Sequence, residues 1–303
     1  MGLRTEIEAP RARALGKEDP EYPARLRDLA SPPDPVYLAG RWSHPGPLVA
    51  IVGTRDPTDD GIDVTRDLAR GLVERGVGIV SGLARGIDAA AHQAALEAGG
   101  VSGAVLGTSL ERTYPRTHAA LQSALRRSLG LMSELSPDRS ATRNTFASRN
   151  RMLAAMSDAV IVVQGRKGSG ALITAKDAFR LGRPVGAVPW DSRDPFGEAP
   201  HELIHDRSAT LVRHAGDVME LIGRVDESSH RRGGPRVTDF DVNALPPHEA
   251  ALYRALRNRP LSLDLLAQAA SLTVPELSIA LLQLELGGLA VREPGGLARR
   301  ARP

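Results

Sequence analysis

The chain contains no cysteine. That excludes disulfides, thiolate metal ligands and cysteine nucleophiles, and it fits a reducing compartment. Aromatic residues are scarce, 3% of 303. Aliphatic side chains must therefore fill the core, and an aromatic placed outside it carries information. Lysine is nearly absent: Lys17, Lys167 and Lys176 are the three, so arginine supplies almost all of the 39 basic side chains. Guanidinium groups fork onto phosphate oxygens and stack on bases, although genome composition accounts equally well for such a bias. No apolar run approaches the roughly 18 residues of a membrane span. The opening Met1-Gly2-Leu3-Arg4-Thr5-Glu6 lacks a signal-like stretch. No membrane association is expected, and the cytoplasm is the expected location.

What is present is ordinary globular material. Hydrophobic residues make up 42% and charged residues 25%, with a net charge of +3, and the length suits about two domains. A charge of +3 does not by itself imply nucleic acid, so the clustering of arginines has to carry that argument. Residues 1–45 are rich in proline and charge. Ser31-Pro32-Pro33-Asp34-Pro35 cannot be regular helix, and the segment reads as an extension leading into the main domain.

From Leu48 the pattern becomes regular. Apolar runs at 48–52, 77–80, 101–106, 129–133, 159–163 and 184–188 alternate with helical stretches at 59–75, 87–98, 115–127, 148–157 and 170–181. Fully apolar strands between amphipathic helices mean a parallel sheet covered on both faces. The fold class is therefore α/β, an extended Rossmann-like parallel sheet over residues 46–222. Residues 223–243 read as a polar, basic linker. Residues 244–303 read as a small winged-helix-like domain, with helices at 247–258, 262–270 and 274–286 and a two-stranded wing. Thr273 and Glu276 form a capping-box pair at the start of the third helix.

In an open parallel sheet, ligands bind at the carboxyl ends of the strands, beside helix N-termini. Four segments occupy such positions. Gly53-Thr54-Arg55 follows the first strand; it is either a plain turn or a mount for Arg55 as an anion ligand. Ser81-Gly82-Leu83-Ala84-Arg85-Gly86-Ile87-Asp88 follows the second, and Arg85 has no obvious structural task. Asp88 reads as a cap of the helix that follows, with His92 one turn on; a catalytic Asp–His pair is the alternative. Residues 139–151 hold Arg139, Arg143, Arg149 and Arg151 around Phe146 and contain no acid. Basic residues about an aromatic suit single-stranded nucleic acid, the charge following the backbone and the ring stacking on a base. The alternative is a solvated basic loop with Phe146 buried beneath it. Arg166-Lys167-Gly168-Ser169-Gly170 opens a helix as a basic, glycine-bearing loop. No cofactor is expected: neither GxGxxG nor a Walker A loop is present.

These residues resemble the DNA-processing protein family DprA, also called Smf. The resemblance runs from about Tyr22 to Ile222. It rests on Ala50-Ile51-Val52-Gly53-Thr54-Arg55, Ser81 to Asp88 with Ala91-His92, Tyr114-Pro115, Ser133-Glu134, Phe146 with Arg149-Asn150-Arg151, and Ser169 to Ala175. Tyr22-Pro23-Ala24-Arg25-Leu26 and Tyr37-Leu38-Ala39-Gly40 also match. The resemblance implies a homodimer without catalysis that binds and protects incoming single-stranded DNA. It further implies loading of RecA recombinase onto that strand, in natural transformation and recombination. By the same resemblance Arg55 and Arg85 contact phosphates and Arg143 stands at a basic position. Phe146 stacks on a base, Arg149 and Arg151 support the groove, and Gly86 and the loop Lys167, Gly168, Ser169, Gly170 add backbone contacts. The sequence departs from the family pattern at Ser109, Gln164, Trp190, His201 and Ser208.

Two rivals remain. A phosphoribohydrolase of the LOG type shares a related sheet but resembles a Pro-Gly-Gly-x-Gly-Thr-x-x-Glu pattern, and Gly168 to Thr174 supplies no such glutamate. A nucleotide-binding sensor would use the same groove for a mononucleotide. In the tail, the third helix, Val274 to Leu286, contains no lysine or arginine. A duplex-reading helix needs basic and hydrogen-bonding residues, so a protein-contact role is expected there.

Overall fold

The computed structural model describes residues 12–223, 242, 245–256, 261–293 and 296–300. The chain divides into two compact units, residues 1–226 and 227–303. The expected linker at 223–243 lies almost wholly outside the described residues.

The first unit is an α/β domain. Its elements in chain order are β1 (Arg13–Leu15), β2 (Val36–Ala39), β3 (Leu48–Val52), α1 (Asp59–Val73), β4 (Gly78–Ser81), α2 (Ile87–Glu97), β5 (Ser102–Leu106), α3 (Ala119–Arg127), β6 (Gly130–Ser133), α4 (Arg143–Ala155), β7 (Ala159–Val162), α5 (Gly170–Arg180), β8 (Val185–Ala187), α6 (Glu198–His205), β9 (Thr210–Leu211) and α7 (Ala215–Leu221). The nine strands form one sheet in the order β1-β2-β6-β5-β4-β3-β7-β8-β9. From β6 to β9 every pairing is parallel.

Side-chain alternation along each strand fills two cores. Val49 and Ile51 of β3 join Leu68 and Leu72 of α1 and Ala91 and Ala95 of α2 on one face. Ala50 and Val52 join Met152 and Leu153 of α4 and Leu172 and Ala175 of α5 on the other. Because both faces are covered, strands β3 to β8 are buried along their length, which is why they read as uninterrupted apolar runs.

Beyond β8 the helices α6 and α7 and the short strand β9 continue the series to residue 221. Two expectations need correction. The described part of the expected extension is not separate from the sheet: β1 and β2 pair with each other and β2 pairs with β6, both antiparallel, so residues 13–39 complete one side of it. From Arg143 on, the segment 139–151 is not a loop. Helix α4 begins at Arg143, five residues before the expected start, because Thr142 and Thr145 close a reciprocal cap. The Thr142 hydroxyl accepts from the Thr145 amide and the Thr145 hydroxyl accepts from the Thr142 amide.

The second unit is a winged-helix domain. Helices α8 (Pro247–Ala255), α9 (Leu263–Ala270) and α10 (Val274–Leu286) pack around Leu252, Leu266, Leu277, Leu281 and Leu284. The wing strands β11 (Ala290–Glu293) and β12 (Leu297–Arg300) pair antiparallel, and β10 (Leu261–Ser262) adds a third strand. The Thr273–Glu276 capping box is formed. Among the described residues no single helix is long and apolar enough to cross a membrane.

Candidate functional site

The chain leaves β3 toward β4, β5 and β6, then returns to place β7 beside β3 and continues to β8 and β9. The connections after β3 and β7 therefore diverge, and a crevice opens at the carboxyl ends of these two strands. A cleft of about 550 Å³ occupies that position. Gly53, Thr54 and Arg55 from the end of β3 form one wall. Gly168, Ser169 and Gly170 at the start of α5 face them, and Arg143, Phe146, Arg149 and Asn150 of α4 line the same cleft.

The helical character of α4 decides which of its arginines reach the cleft. Residues 143, 146, 149 and 150 recur at helical spacing on one face. Arg149 and Arg151 are two positions apart, about 200° around the helix axis, and so cannot share a side. Arg151 instead pairs with Glu134 and donates to the Ser31 carbonyl. It ties α4 to the N-terminal segment and does not line the cleft, contrary to its expected role in the groove.

Arg149 forms part of the cleft floor. It is buried, and its Nε and Nη1 have no hydrogen-bond partner. Burial pushes its pKa down and neighbouring Arg55 lowers it further, while Asp88 raises it. A guanidinium stays protonated in proteins even so. Asp88 is the buried counter-charge. Burial raises its pKa, and Arg149 with the amides of Ala84 and Gly82 oppose that. The expectation that Asp88 caps its own helix is corrected: α2 starts at Ile87 with Gly86 at the cap position, and the carboxylate turns back to accept from Gly82 and Ala84 at 3.1 and 3.3 Å. It holds the preceding loop rather than the helix. His92 bonds Ser102 Oγ at 2.8 Å through Nδ1, and no hydrogen bond joins it to Asp88.

The remaining residues occupy the rim or support it. Gly86 has φ +76°, and a Cβ there would stand 2.5 Å from the Thr54 carbonyl oxygen and 2.7 Å from Pro57 Cδ, so only glycine lets the two loops meet. Arg85 is exposed and lies 3.4 Å from the exposed Asp56, a pair too solvated to restrain it strongly. Neither Arg85 nor Lys167 lines the cleft itself. The Lys167 amide donates to Glu198, anchoring the loop. Ser169 Oγ is buried without a partner beside the free amides opening α5, and a helix N-terminus of this kind favours an anion.

Phe146 is half-buried. Its position follows from Gly107, where a Cβ would stand 2.6 Å from Phe146 Cδ1 and 2.9 Å from its Cα. Thr145 Oγ1 also donates to the Gly107 carbonyl at 2.7 Å. The ring meets that of Tyr114, a residue of the family motif Tyr114-Pro115 to which the sequence assigns no chemistry.

Two departures from the family pattern have structural tasks. Gln164 accepts from the Thr58 amide and donates to the Thr58 hydroxyl at the start of α1. Trp190 donates from its indole to the Val163 carbonyl, and its amide donates to His201.

The family model described as DNA recombination-mediator protein A matches residues 13–223, and that of the DprA winged helix domain matches residues 239–296. Protein Smf of Synechocystis is 33% identical over 315 residues, covering 93% of this chain and 78% of that protein. DNA processing protein DprA of Bacillus subtilis is 36% identical over 202 residues, covering 66% and 68%. Two solved structures are similar: DNA processing protein A of Streptococcus pneumoniae, with TM-score 0.65, 34% identity and coverage of 71% and 75%, and that of Helicobacter pylori, with TM-score 0.62, 27% identity and coverage of 69% and 94%. The latter was described for its single-stranded DNA binding mode.

Proposed function

This chain belongs to the DNA recombination-mediator protein A family, and on that premise we propose that it binds single-stranded DNA across the cleft at the β3–β7 crevice. One observation carries the reading: Arg55, Arg143 and Arg149, whose Nε and Nη1 have no hydrogen-bond partner, converge with a half-exposed Phe146 on a single cleft. The cations neutralise phosphates and the ring takes an unpaired base, which is how non-specific single-strand sites work. Arg85 and Lys167 act at the rim, where a longer strand passes.

The same reading includes protection of incoming strands, loading of RecA recombinase and assembly as a homodimer, in natural transformation and recombination. The protein acts as a binding protein rather than an enzyme. Duplex reading is not assigned to α10. Its exposed side chains include the large apolar Val274, Ile279, Leu282 and Leu286, with Ser278 and Gln283 beside them and no cation, which supports protein contact there.

The test is a titration of oligonucleotides of increasing length, single- and double-stranded, with a mononucleotide as competitor. Affinity is expected to rise with single-strand length and to exceed that for duplex at matched salt. Equal affinity for duplex refutes the reading. Binding that saturates with a mononucleotide points to a nucleotide sensor instead.

A further inference from the structure

Among the described residues the exposed aromatic side chains are Tyr114 and Phe179. Tyr114 is 58% exposed, and its ring centre lies 5.4 Å from that of Phe146, the planes inclined by 57°. In a chain with so few aromatics, one ring left in solvent against a second at the cleft edge is not needed for the core.

The segment bearing Tyr114 is held firmly. The Arg112 carbonyl accepts from Thr108 Oγ1 at 2.9 Å, and Gln122 donates to the Leu110 carbonyl at 3.0 Å. After Tyr114, a His118 ring nitrogen bonds the Leu83 carbonyl at 3.1 Å, fixing the segment to the loop that follows β4. Arg112 and Arg116 flank Tyr114, both exposed, and Arg112 donates to Ser140 Oγ just before α4. The cationic surface of the cleft thus continues past Phe146 toward the carboxyl end of β5.

Resting on the proposed single-strand binding, we propose that Tyr114 is a second base-stacking residue, receiving the nucleotide next to the one on Phe146, with Arg112 and Arg116 neutralising the phosphates beyond. The geometry determines the form of the contact. A base sandwiched between two rings needs about 7 Å between them, two carbon contacts of roughly 3.5 Å. At 5.4 Å the rings leave no such slot, so each offers a separate face. Faces inclined by 57° hold neighbouring bases out of parallel, and the strand turns between them. An unpaired strand accommodates that turn readily; a stacked duplex does not.

The test uses the full chain and labelled oligo(dT) of about 16 nucleotides, the upper site size of a single OB-fold binder of single strands. Tyr114→Ala is expected to weaken binding about 5- to 150-fold, the span of base–aromatic stacking energies, with the salt slope unchanged. Tyr114→Phe is expected to bind like the parent, because the ring and not the hydroxyl does the stacking. The loss from Tyr114→Ala should persist when Phe146 is already alanine. If it vanishes in that background, Tyr114 only braces Phe146 and the proposal is overturned. An equal loss in Tyr114→Phe also overturns it, pointing to the hydroxyl. If Tyr114→Ala alone binds like the parent, the second ring is wrong and the cleft stands. If Phe146→Ala does so as well, the single-strand reading itself is wrong.

Discussion

Gly82 offers the sharpest handle on the cleft. A Cβ at this position would overlap the guanidinium carbon and both terminal nitrogens of Arg149, far inside the roughly 3.5 Å of ordinary contact. Its φ lies outside the left-handed region, so alanine brings no backbone strain, only displacement of the guanidinium from the floor. Overpacking of this kind costs about 1–3 kcal/mol, and Asp88 keeps its two amide donors meanwhile. At roughly 2–4 °C per kcal/mol for a domain of this size, the Gly82→Ala protein should melt about 2–12 °C lower yet still fold. For binding, losing one charge-assisted hydrogen bond to a phosphate removes about 1.5–3 kcal/mol, roughly 10- to 150-fold. The slope of log affinity against log salt should fall by about 0.7, the share of one phosphate on a single strand. Fluorescence anisotropy with labelled oligo(dT) at several salt concentrations reads both quantities. Gly82→Ala added to Arg149→Ala should cost little further affinity, because both act on one guanidinium. Unchanged affinity and slope in Gly82→Ala would show that Arg149 does not meet the strand.

Two arginines of α4 should behave differently, since one lines the cleft and the other pairs with Glu134: Arg143→Ala lowers the salt slope by about 0.7, whereas Arg151→Ala leaves it intact and lowers the melting temperature, and the reverse pattern would contradict the placement of α4. His92 is buried, and burial first, then the positive charges of Arg149 and His118, push its pKa down to about 3. Its contribution to stability is therefore fully present above its unfolded value near 6.5 and is lost as pH falls toward 3. Between pH 6 and 5 stability should drop by roughly 1.4 kcal/mol per pH unit from this group alone. His92→Gln should flatten that slope in urea titrations, and parallel slopes for the two proteins would exclude the linkage. Deleting residues 244–303 should leave single-strand affinity within about tenfold, roughly 1.4 kcal/mol; a larger loss in the oligonucleotide titration would mean that the winged helix binds DNA although its third helix carries no lysine or arginine.

Where the chain alternates buried strands and amphipathic helices, the fold was legible before any coordinates. Val49 to Val52 and Ala159 to Val162 read as strands because both their faces are covered. The start of α4 was not legible, since Arg143 to Asn150 contains only Phe146 and Ala147 as apolar residues and shows no stripe. Its signal was the Thr142–Thr145 pair, which closes a capping box with threonine in place of the usual Glu or Gln. Strands β1 and β2 were hidden by the prolines around them, and β9 is only two residues long. In the site, Arg55, Arg143, Phe146 and Arg149 were readable as types in place. The separation of Arg149 from Arg151 needed the helix, and the meeting of Tyr114 with Phe146 needed the tertiary fold, because nothing local links positions 114 and 146.

The crevice between β3 and β7 has a consequence in time. The pair is in register from Val49 with Ala159 to Val52 with Val162, so the two walls of the cleft come from distant parts of the chain. At a ribosomal rate of roughly 5–20 residues per second, the ~115 residues between Arg55 and Gly170 take about 6–23 s to appear. During that interval β3 has β4 on one side and no neighbour on the other, and Arg55 faces no opposing helix end. Non-local pairing of this kind also forms slowly. On the proposed reading, competence to hold a strand therefore arrives late and together with the completed sheet, so a chain stalled before α5 displays cations without a complete cleft.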